Sequence, residues 1–415
     1  MNILNKSDVY TRLTQIMPFN LVMEAIFTVN EGIRIASSAP IDVSLKAKKL
    51  LEGTAQDIFT FYFIFRNMEM LNTMRGEIDN ITYFEMQKDM LKEVCTEIAN
   101  ILTRILSKRV FHIKIKKLGL KYKIDVHPLI GESILGCGVT RYNVQDITNK
   151  VKKEALEKIV SDLPFPRPLV SLIFFRRENE ETVENKYSKI IEVRNKKLMA
   201  INGIFATKES IDHSIEEARL FGELMNYPSC CIESYVKSKR ELRINELYKL
   251  NNKLISPEEK IIKETLSSGI YEFLTEKLFK SNFKIIEIIK SEIPSEFYSI
   301  PFNNFYPCTI NCQLAIEIGE RIKELAAKID AKISDAYKAG LIGRFLSKMM
   351  REIPKYEIKL VGKFRNLWEE GSFSHDVIEK YVSLIQYELL LGRISKTDFS
   401  LERAAFLYNK KYSPY

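Results

Sequence analysis

Long apolar runs are missing from this chain. No stretch reaches the roughly 20 residues that a bilayer-spanning helix needs, and the most apolar one, Ile58 to Phe65, runs directly into Arg66 and Glu69. A membrane partner is therefore not expected. The first residues carry Asn5, Lys6 and Asp8 ahead of any apolar segment, so no secretory signal is visible and a cytoplasmic location is expected. Glycine is scarce, at 16 of 415 residues. No internal repeat or low-complexity segment is present. Walker loop, Gly-x-Ser-x-Gly elbow and His-Glu-x-x-His are all absent, as is the Cys-x-x-x-Cys-x-x-Cys of radical S-adenosylmethionine enzymes. Those enzyme classes drop out.

What is present is enough apolar content, 46%, to bury a large core in two or three domains. The formal charge is +9 and the pI about 9.0. Enrichment in Lys, Glu and Ile with little glycine is the pattern of a heat-adapted solvated surface, and that reading precedes the anionic partner which the charge also permits.

The expected architecture is α+β, mostly helical, with a small antiparallel sheet in the N-terminal and middle part and a helical domain carrying the cysteine motifs. Residues 1–165 read as an N-terminal helical region with a hairpin. Ile58, Phe61, Ile64, Phe65, Met68 and Leu71 have helical spacing, as do Met90, Val94, Ile98, Ile101 and Ile105, with Cys95 as a small core residue among the latter. Alternation from Val110 to Lys116, then at Tyr122, Ile124 and Val126 after Gly119, predicts a hairpin with a basic wet face that includes His112. Gly136-Cys137-Gly138 reads either as a tight turn or as a weak cofactor-binding loop. An amphipathic helix is expected at 144–161. Pro164, Pro166 and Pro168 punctuate the chain before a strand, Leu169 to Phe175. Residues 166–206 read as a β-rich connection with a strand pair at Lys189–Val193 and Leu198–Phe205. Residues 207–415 read as helical, with late helices near 353–368 and 375–391.

Four of the six cysteines fall in two short segments, Tyr227-Pro228-Ser229-Cys230-Cys231 and Tyr306-Pro307-Cys308-Thr309-Ile310-Asn311-Cys312. Proline fixes its own φ and biases its predecessor toward extended backbone, so each Tyr-Pro step is a sharp entry that aims the thiols. A capping box at Ser214 and Glu217 would start a helix with Ile215, Ala218, Phe221 and Met225 on one face, ended by Gly222 or Asn226. A helix from near Thr309 would put Cys308 at its mouth and Cys312 in its first turn. A helix N-terminus favours thiolate, the form that binds metal or attacks electrophiles.

In a reducing compartment, cysteines at such spacing read as metal ligands or reactive thiols. Adjacent cysteines diverge along the backbone, so an ordinary zinc knuckle is not expected. Cys308 and Cys312 with one of Cys230 or Cys231 would suit iron or an iron–sulfur cluster, with zinc as the alternative metal. A fourth position would stay open or fall to His213, Glu233 or a substrate. Thiol redox chemistry, sulfur transfer and a structural disulfide are the other readings. In an enzyme, Cys230 or Cys231 would be the thiol free to act as nucleophile or sulfide donor. His375 reads as a helix cap and Trp368 as packing.

Leu224 to Ile232 together with Tyr306 to Cys312 resembles an archaeal family of unknown biochemical function whose members carry Gly-Tyr-Pro-x-Cys-Cys and a later Pro-Cys-x-x-x-Cys. Asn226 stands at the usual glycine, and asparagine also accepts left-handed backbone. Length, the additional N-terminal region and composition resemble the HmdC (HcgG) subgroup of hydrogenotrophic methanogens. The resemblance covers about residues 205 to 340. It implies a part in [Fe]-hydrogenase maturation through biosynthesis of the iron-guanylylpyridinol cofactor, with Cys230, Cys231, Cys308 and Cys312 as the functional centre. A guanylylpyridinol precursor or other assembly proteins would be the partners. The rival reading is a nucleic-acid-binding or tRNA-processing protein, with cysteines as a zinc or disulfide staple and the basic segment Lys114 to Lys123 as contact surface; it lacks exposed aromatics for stacking.

Overall fold

A computed structural model of the chain describes residues 3–14, 18–41, 110–128, 168–200, 207–248, 254–280, 285–303, 305–352 and 375–392, with isolated positions between 95 and 106. The architecture is α+β: helices dominate, and three strands form one antiparallel sheet in the order β1 (Ala36–Ile41), β3 (Pro168–Arg176), β2 (Leu120–Pro128). The chain divides into two compact units, Arg34–Ser256 and Met1–Ile33 with Pro257–Tyr415.

In the first unit β3 is central, and its run Leu172, Ile173, Phe174, Phe175 is buried on successive residues, as a strand covered on both faces requires. Its pairing runs from Leu120↔Arg176 to Pro128↔Pro168 on one side and from Ala36↔Phe175 to Ile41↔Val170 on the other. The 110–126 hairpin is not formed. Val110–Lys117 is a helix, Gly119 turns the chain at φ 77, and β2 pairs with the distant β3. Ile113 is 53% exposed while Ile115 is buried, so the apparent alternation carried no common face. His112 therefore sits on a helix, its Nδ1 3.3 Å from the Tyr122 hydroxyl.

The strands expected at Lys189–Val193 and from Leu198 are also replaced, by one helix, Glu180–Ala200. Its buried positions Val183, Tyr187, Ile190, Arg194 and Lys197 follow a helical period. Two of the five are cations, which hid the apolar stripe from a reading based on hydrophobicity alone. They meet acids. Arg194 Nη1 donates to Asp125 Oδ1 (2.9 Å) and its Nε to Glu217 Oε1 (2.8 Å); Lys197 Nζ donates to Glu217 Oε2 (2.5 Å), and the Tyr187 hydroxyl to Asp125 Oδ1 (2.7 Å). Strand β2, the Glu180–Ala200 helix and the Lys208–Leu224 helix are thus joined through buried charge. Cys95 is buried and helical; burial pushes its thiol up to about 12, with Asp125 adding to the shift, so it stays a neutral core residue. The expected helices at 58–71, 144–161 and 353–368, Gly136, Cys137 and Gly138, and Trp368 lie outside the described residues.

In the second unit, Tyr10 packs on Phe27, and Phe297 packs edge-on against Phe273 and Phe345. The helical stretch Phe19–Asn30 widens to a π-helix over Val22–Phe27. His375 begins the His375–Leu390 helix. The Gln313–Ile329 helix crosses the 3-10 turn Ser295–Ser299 so closely that a Cβ on Gly319 would stand 2.2 Å from the Tyr298 carbonyl oxygen. Among the described residues no helix is long and apolar enough to cross a membrane.

Two consequences are measurable. Gly319→Ala gains about 1 kcal/mol of helix propensity, but it must move a backbone carbonyl, an overpacking cost of roughly 1–3 kcal/mol or more. Denaturant unfolding should show net destabilisation; an equally stable variant would disprove the close crossing. The second concerns acid. Burial pushes the Glu217 carboxyl up, but Lys197 and Arg194 outweigh it and bring its pKa from 4.5 down to about 2. A carboxyl with a lower pKa folded than unfolded stabilises fully above its unfolded pKa, and this stabilisation is lost as pH falls towards the folded value. Between about pH 4.5 and 2, Glu217 should account for a loss on the order of 3 kcal/mol. Glu217→Gln should flatten the acid limb of stability against pH in that window, and an unchanged slope would refute the assignment.

Candidate metal centre

The first cysteine motif is placed by the helix before it. Lys208–Leu224 is capped by Thr207, whose hydroxyl accepts from Ser210 N (3.0 Å) while Thr207 N donates to Ser210 Oγ (2.9 Å). The expected box at Ser214 and Glu217 is therefore two turns too late: Ser214 is buried in the helix, and Glu217 belongs to the charge network. Ile215 and Met225 are buried as the periodicity predicts. The helix ends in a Schellman turn. Asn226 takes φ 57, Asn226 N donates to Glu223 O (3.2 Å) and Tyr227 N to Gly222 O (3.0 Å). Gly222 is not the terminator; it lies inside the helix and lets Ile232 approach.

Arg34 holds this turn. Its buried guanidinium lies 4.9 Å from the Tyr227 ring centroid, and its Nε donates to Met225 O (3.0 Å). Met225 and Tyr227 also pack into the core on the sheet with Ile173, Phe175 and Ile190, so the turn is anchored on both sides. Pro228 O then accepts from Cys231 N and Ile232 N, both at 3.0 Å, and opens the Ser229–Leu247 helix. Cys230 and Cys231 stand in its first turn. Cys230 is exposed and Cys231 buried, with their sulfurs 3.8 Å apart.

The second motif begins its helix one turn later than expected. Cys312 N donates to Thr309 O (3.1 Å), so 309–312 is a turn, and Cys312 is the N-cap of Gln313–Ile329. Its carbonyl accepts from Ala315 N and Ile316 N, both at 3.0 Å, while its thiol makes no capping bond. Cys312 is buried and Cys308 half-buried. The buried face downstream is Ala315, Ile316, Gly319, Ile322 and Ala326, with Leu314 left half exposed.

Cys230, Cys231, Cys308 and Cys312 form one group, their sulfurs all within 4.8 Å of one another, and can hold a metal ion. A metal–sulfur bond of about 2.3 Å sets a tetrahedral edge of about 3.8 Å. The Cys230–Cys231 separation equals that edge, so adjacency does not bar the pair from one ion. The divergence expected of neighbouring cysteines is overcome because both lie on a helical turn. His213 lies in the second turn of its helix, Nε2 3.6 Å from Glu209, and the four-sulfur group does not include it. Glu233 is bonded bidentately by Arg219. Arg34, Lys260 and Glu264 were not singled out by sequence: they act on backbone atoms far along the chain, for which local pattern carries no signal.

Fold and sulfurs together define a mostly helical α+β protein with a candidate thiolate metal centre. Residues 182–339 match the family model described as a protein of unknown function, DUF483, a stretch that contains all four cysteines. Comparison with curated proteins and with solved structures gives no match.

Left-handed backbone costs a residue bearing a Cβ about 1 kcal/mol or more, and asparagine and glycine least. Asn226→Ala should therefore lower stability in urea unfolding by about that amount, and Asn226→Gly should not. Equal effects of both would mean that the turn is not held left-handed.

Proposed function

We propose that Cys230, Cys231, Cys308 and Cys312 hold a single iron ion as thiolates, in a protein that takes part in assembling the iron-guanylylpyridinol cofactor of [Fe]-hydrogenase in methanogens. The observation that carries the metal is the mutual approach of four sulfurs within 4.8 Å. A cubane cluster spreads its ligand sulfurs around an inorganic core, whereas sulfurs this close match one ion. Iron rather than zinc, and the cofactor itself, rest on the resemblance of the two Tyr-Pro-cysteine motifs.

Bound iron supplies a Lewis acid with a one-electron couple. The chain supplies the rest. Cys231 and Cys312 are the buried anchors, Cys308 is half-buried, and Cys230 is the exposed member. Cys230 is the thiol that an incoming ligand or partner reaches, and the one free to leave the metal and act as nucleophile. A precursor bearing phosphate suits the formal charge of +9. The basic segment of the nucleic-acid reading is partly neutralised: Lys121 pairs with Glu180 at 2.6 Å, and Lys123 pairs with Glu184. Its phosphate attraction is correspondingly weaker. A cytoplasmic site of action completes the reading.

Protein purified without oxygen should carry one iron per chain, no acid-labile sulfide and a thiolate charge-transfer band. Cys231→Ser, Cys308→Ser and Cys312→Ser should each lose the metal, and Cys230→Ser should keep it with an altered band. Full occupancy in both Cys308→Ser and Cys312→Ser would sink the ligand set, zinc in place of iron would sink the metal, and sulfide in stoichiometric amount would mean a cluster. The cofactor role predicts that the iron-loaded protein with a guanylylpyridinol raises active [Fe]-hydrogenase formed from its apoprotein.

A further inference from the structure

The backbone around Cys308 is gripped by charged side chains in a repeated pattern. Lys260 and Glu264 lie one turn apart on the Pro257–Leu266 helix, 3.8 Å from each other. Lys260 Nζ donates to the carbonyl of Cys308 itself (2.7 Å), and Glu264 Oε2 accepts the N–H of Ile310 (2.8 Å). The same device occurs earlier on the loop. Arg344 Nη1 donates to Ile300 O (2.9 Å), Glu24 Oε2 accepts from Asn303 N (3.0 Å), and Glu24 and Arg344 are ion-paired. In each case the cation of a pair takes a carbonyl and the anion takes an amide of one loop.

We infer that Lys260 and Glu264 are positioning residues that pre-form the Cys308–Cys312 turn for metal. An exposed i,i+4 pair contributes only a few tenths of a kcal/mol to a helix, so helix stability is a weak reason for these two residues to be where they are. Their hydrogen bonds are charge-assisted, the strong kind, and they end on the backbone on either side of Thr309, inside the five residues that carry both thiols. Cys308 O and Ile310 N lie ahead of the Gln313–Ile329 helix, outside its ladder of hydrogen bonds, and these two side chains meet them. With the grip in place, the loop is ordered before metal arrives, and the ordering entropy is not charged to binding. Outer contacts of this kind typically govern metal affinity about 10–100-fold.

This inference rests on the four-thiolate reading, and one experiment separates the two. Cobalt(II) is added anaerobically to the metal-free full chain, thiolate-to-metal absorption is followed, and affinity is read by competition with a chelator. Wild type, Glu264→Ala, Glu264→Gln and Lys260→Met are compared, with thermal unfolding of each metal-free protein alongside. Glu264→Ala and Lys260→Met should bind cobalt about 10–100-fold more weakly while the metal-free proteins unfold at the wild-type temperature. Glu264→Gln, whose amide oxygen still accepts from Ile310 N, should restore most of the affinity. Unchanged affinity in Glu264→Ala overturns the positioning role. So does a loss that tracks reduced stability and is not restored by glutamine. A wild type without thiolate absorption overturns the metal reading and this inference with it.

Discussion

A buried carboxylate stays ionised only where cations meet it, and Asp125 imposes that condition on the Arg34–Ser256 unit. It sits in the middle of β2, and it is met by Arg194 and by the Tyr187 hydroxyl. Arg194 in turn meets Glu217 of the next helix, and Lys197 balances the second acid. Two acids and two bases leave no net charge. Such a network is a poor source of stability compared with apolar packing but a strong source of register, because a helix slipped by one residue strands a charge. The register of Lys208–Leu224 decides where its last turn falls, and that decides where Tyr227 and Pro228 lead into the cysteine pair.

Both cysteine turns are held by the same kind of force. Arg34 donates to Met225 O, Lys260 to Cys308 O and Arg344 to Ile300 O, while Glu264 and Glu24 accept amides of the second loop. Loops carry backbone groups that neither helix nor sheet satisfies. Here charged side chains satisfy them along the segments that lead to the thiols and, at Cys308 and Ile310, within the thiol-bearing turn. Cys312 caps its helix through its carbonyl, without a capping bond from its thiol.

Cys230 and Cys231 sit in the first turn of one helix and Cys312 at the cap of another, so helix starts carry three of the four sulfurs. Cysteine binds metal as thiolate, so filling such a centre would release thiol protons. Burial grades the four, from Cys231 and Cys312 inside to Cys230 outside, and this grading distinguishes members that sequence treats alike.

Local signals in the sequence determined a good deal. Asn226 was one of two candidate helix stops, the run Leu169 to Phe175 marked a strand, the two Tyr-Pro steps marked the thiol-bearing segments, and scattered charge ruled out spanning helices. Each depends on one residue and its immediate neighbours. Tertiary structure decided the rest. Val110 to Lys116 alternates like a strand, but strand formation needs a partner edge, and β3 gave its edge to Leu120–Pro128. Lys189 to Val193 looked extended because Arg194 and Lys197 interrupt the apolar stripe; only Asp125 and Glu217, far along the chain, turn those cations into an inner face. The helix starts at Thr207 because Thr207 and Ser210 cap each other, while Ser214 lies buried inside the helix. The approach of four sulfurs from two motifs is likewise a product of the folded chain, since spacing along a sequence does not limit distance across it.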